Sequence, residues 1–97
     1  MRVAFSNREL YDAFHEQRTA ARLWGPVVAA RYATLIRIIL SATARADIAA
    51  LRRLRLHPLR GDMRGLWAMD LVGRWRLLVT FQDEGALVQE VSNHYDD

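Results

Sequence analysis

Three side chains in this sequence sit where they could exchange a proton with a bound polyanion, each near clustered cations. They are His57, His94 and Tyr95. His57 opens a segment that also carries Arg60 and Arg64, Arg74 and Arg76 flank Trp75, and the chain ends Asn93-His94-Tyr95-Asp96-Asp97. This set suits cleavage of RNA by its own 2′-hydroxyl. That reaction needs a base at the hydroxyl, cations at the pentavalent phosphorane and a proton for the departing 5′-oxygen. A histidine titrating near neutrality can serve as acid or base, worth about 10²–10⁴-fold in rate. Arginines stabilise the charge that develops on phosphorus, and a tyrosine can stack on a base or help move the proton. No metal site or cofactor is signalled: there is no Cys, no His-Glu-x-x-His and no tight His/Asp/Glu spacing. Each residue also has an ordinary use. His57 precedes Pro58 and can be a loop or capping residue, and a terminal His-Tyr pair can be without role.

The cations are unusual in kind. All 14 basic residues are Arg, with not one Lys, for a net charge of +3. Coding bias is the simplest cause, but the consequence is physical: every cation is a permanently charged planar fork suited to phosphate and base edges. The net charge alone is a weak pointer to a polyanionic partner. The length, 97 residues, predicts one domain spanning 1–97. Without cysteine, disulfides, thiolate zinc sites and cysteine nucleophiles are excluded. No apolar run approaches the ~20 residues of a membrane helix, and MRVAFSNREL lacks a secretory apolar core. The expectation is a cytoplasmic protein with no membrane partner.

Patterning supplies the elements that must position these groups. Arg2–Ser6 reads as a short strand with Val3 and Phe5 on one side. Ser6 and Glu9 form an S-x-x-E capping box that starts a helix near Asn7, with Leu10, Phe14 and Ala21, together with Tyr11, as its apolar stripe. Trp24-Gly25-Pro26 ends it and Pro26 suits the first turn of the next. That helix, about Val27–Ala42, has Val28, Tyr32, Leu35 and Ile39 in register, widened by Ile36 and Leu40. Ala46–Leu54 reads as a third helix, Ile48 and Leu51 inward, with Arg52, Arg53 and Arg55 complementing its macrodipole. Past His57-Pro58 the period changes to two. Gly65–Leu71 puts Trp67, Met69 and Leu71 on one face, Val72-Gly73 suits a hairpin turn, and Arg74–Gln82 alternates. Its Trp75, Leu77, Val79 and Phe81 should face the helices, and Arg74, Arg76, Leu78 and Thr80 the other side. Asp83-Glu84-Gly85 is a turn and Ala86–Val91 a last strand. The order β-α-α-(α)-β-β-β implies an α+β fold, a small antiparallel sheet with helices on one face.

From Leu54 onward the sequence resembles the RelE/ParE toxin superfamily, and within it the HigB-like killer proteins. Their pattern, approximately H-x-L-K-G-x-x-x-G-x-W-x-I, then W-R-I or W-R-L, then a terminal His/Tyr cluster, has counterparts here. These are His57-Pro58-Leu59-Arg60-Gly61 through Gly65-Leu66-Trp67, then Gly73-Arg74-Trp75-Arg76-Leu77, then His94-Tyr95. The resemblance implies a toxin of a type II toxin–antitoxin pair that cuts mRNA in the ribosomal A site, without metal. Its partners would be the ribosome, mRNA and a cognate antitoxin with a helix-turn-helix domain, HigA-like. By position, His57 would be an acid/base residue, Arg60 would stand where Lys is common, Arg76 would bind phosphate, and His94 and Tyr95 would complete the site. HigB-like chains often end Asp-Tyr-His, whereas this one reads Ser92-Asn93-His94-Tyr95, so the general acid is not assigned by alignment. Two other functions share the fold: a ParE-like poison of DNA gyrase, and a degenerate paralogue that only binds antitoxin or RNA. The His/Tyr cluster favours cleavage over the gyrase reading.

Overall fold

A computed structural model describes residues 1–93. His94 and Tyr95 lie outside the described residues. The chain runs β1 (Arg2–Phe5), α1 (Arg8–His15), α2 (Gln17–Trp24), α3 (Pro26–Ser41), α4 (Arg45–Ala49), β2 (His57–Pro58), β3 (Trp67–Asp70), β4 (Arg76–Gln82) and β5 (Gly85–Ser92). The strands form one sheet in the order β1-β5-β4-β3-β2. The α+β architecture is therefore as expected, with one difference in detail. β1 pairs with β5 in parallel, Phe5 opposite Val88, so the sheet is mixed rather than antiparallel throughout. The crossover through α1–α4 carries the chain from β1 to β2 at the far edge, and the antiparallel run β2-β3-β4-β5 returns it beside β1, a connection that strand periodicity alone does not specify.

Local chemistry explains the helix ends. Asn7, rather than Ser6, caps α1: its side-chain oxygen accepts from the Leu10 amide at 2.8 Å. The Ser6 hydroxyl instead donates to the Gln89 carbonyl at 3.1 Å, tying β1 to β5. The single helix expected to Trp24 is broken at Glu16, whose backbone is extended (φ −132°, ψ 107°). No glycine or proline marks that break. It lets α1 lie along β1 while α2 packs mainly on α3. Gly25, at φ 86°, joins α2 to α3 in a conformation that glycine adopts freely, and Pro26 follows at the first helical position.

α3 is the central core element. Val28, Tyr32, Leu35, Ile36 and Ile39 are buried against Met69, Leu77, Val79 and Val88 of the sheet. Leu40, expected inward, is exposed, and Ala29 and Ala33 complete the stripe. The third helix is shorter than expected. It ends at Ala49, leaves Leu51 exposed and resumes as a 3₁₀ turn, Arg52–Leu54. Among the described residues no helix is long and apolar enough to cross a membrane.

The second sheet face is not bare. After β2 the chain turns back through a 3₁₀ turn at Gly61–Met63, and the Leu59 amide bonds to the Leu66 carbonyl at 2.9 Å. Leu59, Ala68 and Leu78 are buried together there, with Met63 and Leu66 packed around them. Leu78 thus points away from the helices, as its alternation requires, yet is covered. This small second core stiffens the face that carries the polar residues described next.

Candidate functional site

The row of polar residues begins with strand register. On β3, Asp70 pairs with Arg76 of β4, and Arg76 pairs in turn with Ser92 of β5. His57 of β2 pairs with Ala68, two residues before Asp70 on β3. Because side chains alternate, His57, Ala68, Asp70, Arg76, Leu78 and Ser92 share the face opposite the helices. Two strand spacings separate His57 from Arg76, about 10 Å, with an offset of about 7 Å along the strands. Side chains as long as arginine's can close over one phosphodiester from that distance. β5 ends at Ser92, beside Arg76.

Arg76 is held firmly. Its Nη1 donates to the carbonyls of Gly73 at 2.8 Å and Trp75 at 3.0 Å. Its Nε lies 3.1 Å from Asp70 Oδ1, with the side chain only 15% exposed. That contact is an ion pair not aligned as a hydrogen bond: neither atom has a hydrogen-bond partner among the described residues. With Nη1 committed to two carbonyls and Nε buried against Asp70, the donors left for a ligand are those of Nη2. The Val72–Trp75 turn makes this possible. Gly73, at φ 58°, permits the reversal, and the Trp75 amide closes it on the Val72 carbonyl at 2.9 Å.

His57 is oriented through its own neighbourhood. Its Nδ1 lies 2.6 Å from the Arg55 carbonyl. A carbonyl only accepts, so Nδ1 carries the proton, and in the neutral ring Nε2 holds the lone pair. A proton shuttle therefore presents Nε2. Arg55 also donates from Nε to Asp70 Oδ2 at 3.1 Å. Asp70 thus receives a guanidinium on each carboxylate oxygen.

The remaining expected residues divide. Arg60 and Arg64 are exposed on the loop that bounds the second core, at the opposite end of β3 from Asp70. Arg74 is exposed and belongs to the turn between β3 and β4, not to β4 itself as the alternation suggested. All three lie outside the row of His57, Asp70 and Arg76. Asp70 and Arg55 were not singled out from the sequence. A two-residue turn at Val72-Gly73 would have set Asp70 across from Trp75; the longer turn, closed by the Leu71 amide on the Trp75 carbonyl at 3.0 Å, is what brings it opposite Arg76. Arg55 gave no warning either, because its role depends on where the third helix stops. The face also carries Glu90, which is opposite Leu78 and exposed. It is therefore not uniformly cationic.

Neither a family model nor a curated protein matches the sequence. Solved structures do match in fold. A YoeB/ParE toxin from Agrobacterium tumefaciens is 23% identical, with TM-score 0.61, covering 98% of this chain and 100% of that one. A YoeB–YefM complex from Staphylococcus aureus gives 16% identity and TM-score 0.65, covering 98% of each chain. YafQ from E. coli gives 14% identity and TM-score 0.64, covering 97% of this chain and 94% of that one. The chain therefore has the α+β fold of the RelE/ParE-like toxins, over nearly its whole length.

Proposed function

We propose that this chain is the toxin of a type II toxin–antitoxin pair, acting as an endoribonuclease on translated mRNA in the ribosome. One observation carries the reading. An imidazole whose Nδ1 proton is fixed on a carbonyl and a carbonyl-pinned guanidinium stand on the same face, on strands separated only by β3. The fold of the similar structures, one of them a toxin and one a complex of YoeB with YefM, supports the same reading.

In this mechanism Nη2 of Arg76 binds the scissile phosphate and stabilises the phosphorane. The 2′-oxygen attacks phosphorus as its proton passes to a base, and the 5′-oxygen leaves as an acid supplies a proton. The products are a 2′,3′-cyclic phosphate and a 5′-hydroxyl, so atoms and charge balance without a co-reactant. His57 takes one of the two proton transfers, and His94 or Tyr95 the other. Arg60, Arg64 and Arg74 supply sequence-independent phosphate attraction along the path of the RNA. An antitoxin of the helix-turn-helix, HigA-like type would neutralise the protein, which works in the cytoplasm where ribosomes are.

Induction in growing cells tests this. Wild type should arrest growth and yield mRNAs cut within translated codons, while Arg76→Ala and His94→Ala should leave them whole. Deleting Asn93–Asp97 should abolish cleavage and keep antitoxin binding. Growth arrest with intact mRNA and broken chromosomal DNA would replace this reading with the gyrase one.

A further inference from the structure

Arg55 is the one non-glycine residue with positive φ among the described residues, at φ 51° and ψ 48°. It follows the 3₁₀ turn Arg52–Leu54 and closes it, its amide donating to the Arg52 carbonyl at 3.0 Å. Glycine or asparagine is the low-strain choice for such a left-handed cap; an arginine there carries steric strain. Closing the turn does not require a side chain. The position contacts both halves of the site, and the arginine side chain supplies the second of the two contacts. Its carbonyl fixes the His57 ring through Nδ1, and its guanidinium holds Asp70, whose other oxygen faces Arg76.

We infer that Arg55 is a positioning residue: its left-handed turn and its hydrogen bond to Asp70 set His57 and Arg76 in mutual register for phosphodiester cleavage. The inference rests on the reading proposed above. Its physical content is a chain of three charged groups. Asp70 is anchored on one oxygen by Arg55, and the other oxygen then sits 3.1 Å from Arg76 Nε. Without Arg55 the carboxylate can rotate to follow the buried Arg76 Nε–H and draw the guanidinium with it, turning Nη2 away from the phosphate. With Arg55 it is held off alignment, and the Nη2 donors of Arg76 stay set for the substrate. Asp70 is thus part of the same device, neutralising one guanidinium charge while leaving the other to the RNA.

Arg55→Gly separates this role from a merely structural one. Glycine keeps the backbone turn and the Arg55 carbonyl's place, and relieves the strain, while deleting the guanidinium. The variant should melt no lower than wild type, yet its cleavage rate at saturating programmed ribosomes should fall about 10- to 100-fold. The concentration of ribosomes giving half-maximal rate should change little. Arg55→Lys should not restore the rate, because an ammonium lacks the Nε donor in the guanidinium plane. A second measurement does not depend on activity. The Arg76 Nε–H resonance of the free protein should shift and broaden in Arg55→Gly and in Asp70→Asn, and remain as in wild type in Arg18→Ala. Unaltered Arg76 resonances in both variants would overturn the inference, whether or not wild type cleaves RNA. So would wild-type cleavage by Arg55→Gly. Failure of wild type itself to cleave would count against the proposed function, and the resonance of Arg76 would still decide this point.

Discussion

Arg76 illustrates how much of a site is made by groups that never touch substrate. Its two backbone acceptors, at 2.8 and 3.0 Å, leave it little freedom, and Asp70 offsets part of its charge. Arg76→Lys keeps the charge but cannot serve both carbonyls and present a planar edge. Cleavage by that variant should fall at least about tenfold, mostly in the rate at saturation, which single-turnover kinetics would resolve. Asp70→Ala should cost stability as well. It leaves a guanidinium that is 15% exposed without its counter-charge, and a loss of about 2 kcal/mol is expected from denaturant titration, less than for a fully buried pair. The sequence announced His57, Arg60, Arg64, Arg74 and Arg76 by type and spacing. It did not announce the Asp70–Arg55 contact, because that depends on a backbone angle at Arg55 which no spacing encodes.

At the scale of elements, the caps and turns decide where the functional strands begin. Asn7→Ala removes the one side-chain cap of α1 and should destabilise the protein by about 1 kcal/mol. That shifts the melting temperature by roughly 4–8 °C for a chain of this size. Gly73→Ala meets no neighbouring atom within 4 Å, so its cost is backbone strain alone, about 1 kcal/mol, at φ 58°. It should also lower cleavage, since the Gly73 carbonyl holds Arg76, whereas Asn7→Ala should lose stability without losing rate per folded molecule. Helix starts, the Gly25-Pro26 junction and the alternation of β4 were legible because local chemistry determines them. The break at Glu16 and the early end of α4 were not. Both serve packing between distant segments and carry no glycine or proline as a mark. Leu40 and Leu51, read as inward from periodicity, are exposed because the elements they belong to are covered on fewer sides than the stripe allowed.

Across the whole molecule, α3 is tied to α1 by a buried hydrogen bond, the Tyr32 hydroxyl donating to the Leu10 carbonyl at 2.8 Å. Burial pushes the Tyr32 phenol well above its ordinary value. The protonated form is the one the fold stabilises. Its contribution is complete below about pH 10, where the unfolded phenol begins to ionise, and declines as pH rises beyond. Stability should therefore fall above pH 10, and Tyr32→Phe should remove that part of the decline at a cost of about 1 kcal/mol at neutral pH. The α+β class and the helices on one face were readable from the change of period at His57-Pro58. The parallel pairing of β1 with β5 was not, since both orientations satisfy the same alternation.

The central claim is that this face cuts mRNA within the ribosome through Arg76. Single-turnover cleavage of a defined mRNA, by purified protein with and without programmed ribosomes, tests it most directly. The account predicts cleavage within the A-site codon that requires the ribosome and leaves a 2′,3′-cyclic phosphate. Arg76→Ala should reduce the rate by at least about 10²-fold. Cleavage undiminished in Arg76→Ala, or none by wild type under any programming of the ribosome, would contradict it.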